Sequence, residues 1–100
     1  MKTSECIGEI LGMFVFIYIA LTHTEPLIIV TGLFVGMMIA ASLGSKSYLN
    51  PGFVIGDYAQ GELVEGGNSV DGRDATSYIG CELIGVVLAI ILVHIKNEMK

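Results

Sequence analysis

Three residues have types and placements that bear on chemistry: Asn50, in the turn Leu49-Asn50-Pro51-Gly52, and two glutamates, Glu9 and Glu82, each set inside a long apolar run. An asparagine amide both donates and accepts hydrogen bonds, and the proline after it removes a backbone donor. A carboxylate within an apolar segment costs about 3 kcal/mol on membrane-insertion scales, so it must face inward and be hydrogen-bonded. Two chemistries fit such acids. One is bracing of an irregular backbone whose N–H groups need acceptors; the other is proton relay. Bracing is the expectation for Glu9, and Glu82 suits either. The chain shows no nucleophile–base constellation, phosphate loop or metal cluster. No catalytic residue, metal ligand or cofactor is therefore expected, and the chain does not read as an enzyme.

The elements that position these residues follow from the apolar pattern. The chain is 53% apolar, and its charges fall mainly between three apolar stretches, at about 4–21, 26–43 and 76–95. Each approaches the roughly 20 residues needed to cross a hydrocarbon core about 30 Å thick. The second lacks the polar stripe that the core helix of a soluble domain carries. After it, the Asn50-Pro51 turn opens a shorter apolar stretch at 51–59. As a helix this stretch would be about 13 Å long, which reaches only part-way across a bilayer. Backbone at membrane depth departs from helix only where protein buries it or a water-filled cavity hydrates it. The expected fold is an all-α membrane protein: one membrane domain over residues 1–100, with three transmembrane helices, one re-entrant half-helix and an acidic loop at about 60–75. It would be multi-pass, with its termini on opposite sides of the membrane.

Local signals refine this outline. Thr3 or Ser4 is a candidate cap for the first helix, Thr24 for the second with Pro26 in its first turn, and Asp71 or Asp74 for the last; Gly61 is a candidate stop for the half-helix. Gly8 with Gly12, Gly32 with Gly36, and Gly52 with Gly56 lie four apart on single helix faces, where lipid-embedded helices make their closest contacts. Cys6 and Cys81 are too few for a disulfide framework and are expected to be small buried hydrophobes. His23 and His94 are expected to be interfacial anchors. Lys2 alone, with Glu9 interrupting the apolar run, does not make a convincing signal peptide. The net charge of −5 arises largely from the acidic loop and disfavours nucleic acid and anionic lipid as partners; the apolar spans make membrane lipid the expected surroundings. That loop lacks the register of a calcium site.

Three motifs carry a resemblance. Gly8-Glu9-Ile10-Leu11-Gly12-Met13-Phe14 resembles the first-helix Ala-Glu-Phe-Leu-Gly-Thr-Phe of aquaporins and glycerol facilitators. Leu49-Asn50-Pro51-Gly52-Phe53-Val54-Ile55-Gly56 resembles their Leu-Asn-Pro-Ala-Val-Thr-x-Gly, and Tyr78-Ile79-Gly80-Cys81-Glu82-Leu83-Ile84-Gly85 their Tyr-Ile-x-Ala-Gln-x-x-Gly. The three occur in family order and near family spacing, and cover about residues 4–95, the family's first repeat. Gly52 stands for alanine, Glu82 for glutamine, and Phe53 where the second repeat carries its cation-excluding arginine. The family channel is built from two inverted repeats, and this chain supplies one.

The resemblance implies a pore in which two half-helices meet N-terminus to N-terminus. Asn50 would donate to water or a polyol, Pro51 would stack on the opposing half-helix, Gly52 would allow close approach, Phe53 would lie near the narrowest point, and Thr31 would fall on or beside the filter. The expected function is a passive channel for water or a small neutral solute, completed by a second half. That half would be an inverted copy of this chain, in an antiparallel homodimer or higher assembly, or a separately encoded chain. The rivals are a non-conducting subunit beside a full-length channel, and a small proton- or cation-coupled transporter using Glu9 or Glu82.

Overall fold

A computed structural model describes residues 1–46, 49–63 and 72–99, and its described residues form helices without any strand. The helices are α1 (Thr3–Thr22), α2 (Pro26–Ser42), α3 (Pro51–Leu63) and α4 (Gly72–Glu98). At 20 and 27 residues, α1 and α4 are long and apolar enough to cross a membrane. Only 22% and 28% of their most apolar windows are buried, whereas the core helix of a soluble domain is mostly covered. The 17-residue α2 is equally apolar, with Leu27 76% and Phe34 64% exposed.

Helix α1 is the centre of the bundle and packs against both α2 and α4; α3 packs against α4. The α1–α2 pair is antiparallel and held by small residues. A Cβ added to Gly12 would come within 2.5 Å of the Gly36 carbonyl oxygen, and one added to Gly36 would meet the Gly12 oxygen equally closely. Gly8 faces Ala40 in the same seam, and Gly32 faces Ile19. The α1–α4 pair runs parallel: Gly85 lies against the Ile10 carbonyl, and Lys96 sits 5.8 Å from the Tyr18 ring centre, one register throughout. Buried residues on α4 (Ala75, Tyr78, Glu82, Gly85, Ala89) recur every three or four positions, with Cys81 buried beside Glu82, so one stripe faces α1 and α3.

Several expectations are revised. Cys6 and Cys81 are not isolated buried thiols but a disulfide with Cα atoms 5.6 Å apart, because the parallel register sets them opposite one another. Closing a loop between residues 75 apart stabilises by up to about 4 kcal/mol in the chain-entropy picture. Replacing both cysteines with alanine is expected to lower the unfolding temperature by several degrees without changing helix content. A melt followed by circular dichroism checks this; an unchanged midpoint would mean that the bond contributes nothing. The first helix is entered from Lys2 without a side-chain cap, so Thr3 and Ser4 lie inside it, and the Met1 ammonium instead pairs with Asp74 on α4 at 2.8 Å. The second is entered from Glu25, one residue after Thr24, because Pro26 fixes the first helical position. Gly61 does not stop the half-helix, which continues to Leu63, and α4 begins at Gly72 rather than near residue 76. The Asp71 cap, the middle of the acidic loop (64–71) and the Pro51 ring lie outside the described residues.

Candidate functional site: a clamped turn at the head of a half-helix

The turn begins where α2 ends. Gly44 adopts φ +87°, its N–H donates to the Ala41 carbonyl, and the Ser45 N–H donates to the Ala40 carbonyl. This Schellman arrangement closes the helix and needs glycine at the left-handed position. It turns the chain back toward α1, where Ser45 Oγ donates to Glu9 Oε1 at 2.7 Å.

Leu49 is the wedge. It is 1% exposed, and its two methyl groups lie over the Gly12–Gly36 contact between α1 and α2. Its φ of +48° is unusual for a branched apolar residue and costs about 1–2 kcal/mol. Burial of the side chain offsets that cost, and so does the bond from its N–H to Glu9 Oε2 at 3.1 Å. The next N–H, that of Asn50, donates to Glu82 Oε2 at 3.1 Å. Two consecutive peptide groups are thus held by carboxyls from two helices, and both glutamates are fully buried.

Asn50 starts α3. Its carbonyl accepts from the Phe53 and Val54 N–H groups, and its Oδ1 accepts from the Gly52 N–H at 2.7 Å. With Oδ1 committed to the cap, the amide of this exposed residue has its two Nδ2 hydrogens left to donate. They sit at the N-terminal end of a 13-residue helix, the positive end of its dipole. Glu9 lies six residues into α1 and Glu82 ten residues into α4, so the turn sits about 9–15 Å along the bundle from its Met1 end. From there α3 runs back along α4: Val54 packs on Tyr78 and Ala75, and the Tyr58 ring reaches Gly72 at the start of α4.

The opposite face of α3 is open. Asn50, Gly52, Phe53, Gly56, Asp57 and Gln60 line a cavity of about 700 Å³. A second, of about 360 Å³, is lined by Phe16, Leu33, Met37, Lys46 and Leu49 together with the same Asn50 and Phe53. The two share Asn50 and Phe53, forming one groove with polar groups toward α3 and apolar groups toward α1 and α2. Phe53 is 70% exposed in it. Compared with family models, with curated proteins and with solved structures, the chain matches none. The groove therefore has to be read from its own residues.

The structure brings Asn50, Gly52 and Phe53 into this groove and sets Glu9 and Glu82 beneath it. Thr31 is not with them: its Oγ1 donates to the Leu27 carbonyl of its own helix, and it lines a separate cavity with His23 and Ile19. Gly8, Gly12, Gly32 and Gly36 make the expected close contacts, but Gly56 does not, since no described residue lies within 4 Å of a Cβ added there. Its bare face belongs to the groove. Of the histidines, His23 lies against the end of its helix, with Nδ1 3.2 Å from the Ile19 carbonyl, and His94 is 3.8 Å from Glu98. Sequence reasoning missed Ser45, Leu49 and Gln60. The Gly44-Ser45 pair after an apolar helix is a legible Schellman signal, but neither Leu49 nor Gln60 has a type that marks its role.

Proposed function

We propose that this chain is one half of a passive membrane channel for water or a small neutral solute. In this reading α1, α2 and α4 cross the bilayer, and α3 is a re-entrant half-helix whose head lies near mid-depth. The observation that carries it is an exposed Asn50 lining an open groove, at the head of a helix whose turn is held by two buried carboxyls. Donors at a positive helix end suit a neutral hydroxylic solute and disfavour cations. The resemblance of the three motifs to the first repeat of aquaporins supports the same reading.

The groove is half of a conduit, and an inverted second copy completes it. An identical chain brings a half-helix from the opposite face only by inserting the other way up. Lys2, Lys46 and Arg73 lie toward the Met1 end against Lys96 toward the other, with Lys100 following it in sequence, so the charge bias on orientation is weak. Dual insertion has a chemical signature. Disulfides persist on the oxidising side of a membrane, so chains with the Met1 end on that side carry the Cys6–Cys81 bond and inverted chains carry free thiols. Thiol labelling of intact cells, paired with accessibility of a C-terminal tag, should give two pools in matching proportions. Full oxidation with a single tag orientation would assign the partner's place to a separately encoded half.

The groove face gives the functional test. A Cβ added at Gly56 meets nothing within 4 Å among the described residues, and Gly56 lines the cavity of about 700 Å³, so Gly56→Trp should keep the fold while its indole fills the space that the solute or the opposing half-helix needs. Osmotic swelling of vesicles carrying this variant should fall to that of empty vesicles with an unchanged melting curve. Swelling equal to the unsubstituted protein would remove this face from the conduit.

A further inference from the structure

The brace beneath the turn contains one atom that the hydrogen-bond network leaves over. Glu9 and Glu82 are both 0% exposed. Their Oε2 atoms accept from the adjacent N–H groups of Leu49 and Asn50, which brings the two carboxyls together under two consecutive peptide groups. Glu9 Oε1 accepts from Ser45. Glu82 Oε1 is buried and meets no donor among the described residues. Among the described residues, the acidic neighbour of the Glu82 carboxyl is the Glu9 carboxyl, which accepts from the N–H next to the one that Glu82 holds and interacts with it electrostatically.

Two carboxylates in contact and shielded from water repel, and each has only acceptor oxygens. One proton between them removes the repulsion and turns one oxygen into a donor. We infer that Glu9 and Glu82 form a proton-binding site, in which a single proton is shared between the two carboxyls beneath the Asn50 turn. A metal ion is the poorer occupant, since no cluster of three or more His, Cys, Asp or Glu side chains exists among the described residues.

The other ionisable groups near the site, among the described residues, are these. On α1, Glu5 accepts from the Tyr78 hydroxyl at 3.4 Å, and Tyr78 is the neighbouring titratable group on α4. On the turn, the Lys46 backbone contacts Tyr78, while the Lys46 side chain is exposed. Helix α2 carries no ionisable residue, and α3 turns the apolar Val54 toward α4. None of these places a positive charge on the pair, so the described residues supply no cationic substitute for the proton.

The site makes the turn depend on one proton, and with it the position of the Asn50 amide. This consequence for transport rests on the proposed function; the proton itself does not. In membrane-reconstituted protein at neutral pH, the infrared spectrum should show a protonated-carboxyl C=O band that is absent from Glu82→Gln and retained in Glu5→Gln. Glu82→Gln should still fold, because its amide NH₂ donates where the shared proton did. The native protein should take up one proton on folding at neutral pH, whereas ordinary carboxyls in the unfolded chain are ionised there. Its unfolding constant should therefore rise about tenfold per pH unit from neutrality until the pair releases its proton, while Glu82→Gln shows no such slope. Absence of the band, its survival in Glu82→Gln, or equal pH slopes in the two proteins would overturn the inference. Swelling that stays constant while the proton is titrated away would sever the site from transport and leave proton binding standing.

Discussion

Glu9→Leu is expected to release the turn and abolish transport, whereas Glu9→Gln should preserve both in large part. Leucine fills the volume of the side chain but takes the Glu9 acceptor from Ser45 Oγ and strands the Leu49 N–H in a buried place. A stranded buried donor costs about 1–3 kcal/mol, a sizeable share of the stability of a small domain. Among the described residues the N–H of the left-handed Leu49 has no other acceptor, and relaxation of its φ withdraws its side chain from the Gly12–Gly36 seam. Glutamine keeps an acceptor oxygen and loses one bond. The measurement is thermal unfolding of both variants in the same detergent, with swelling of reconstituted vesicles as the functional readout. If the two variants unfold together and conduct alike, the carboxyl does not brace the turn.

The second large effect concerns the seam itself. Gly12→Val and Gly36→Val each force a branched side chain against a carbonyl oxygen that already lies 2.5 Å from where the first added carbon would sit. Overpacking a tight contact costs about 1–3 kcal/mol when neighbours can move, and here the neighbour is backbone. Helix α2 must move off α1, and Leu49, which packs over both glycines, loses its socket. Each substitution should lower the melting temperature by ten degrees or more, while Gly56→Ala should leave it unchanged or slightly raised. A Gly12→Val protein as stable as the native one would mean that α1 and α2 do not approach this closely.

How much of this was legible depends on whether a signal was local. Gly8, Gly12, Gly32 and Gly36 were readable because a spacing of four in an apolar run names a face, and in a short antiparallel hairpin that face has one partner. Gly56 has the same spacing and packs on nothing, because spacing names a face but not its neighbour. Glu9 and Glu82 were readable as inward-facing since an apolar run leaves a carboxylate little choice, but their meeting under consecutive peptide groups depends on how three segments converge. The Cys6–Cys81 bond was missed because it follows from the parallel register of the first and last helices, which no local pattern encodes. Leu49 was missed for the opposite reason: its left-handed backbone contradicts its own propensity, and only tertiary contacts hold it there. The half-helix ran past Gly61 because a single interior glycine costs only about 1 kcal/mol, which packing on α4 offsets.

The central claim is that the Asn50 groove, completed by an inverted copy, conducts a neutral solute. Stopped-flow swelling of vesicles tests it most directly, because reconstitution inserts chains both ways up and supplies the inverted partner without any other protein. The account predicts that vesicles carrying the purified chain swell faster than empty ones under an osmotic step, at a rate independent of an imposed proton gradient, and that Asn50→Leu returns them to the empty-vesicle rate while remaining folded. Swelling no faster than that of empty vesicles, or swelling that requires the proton gradient, would contradict it.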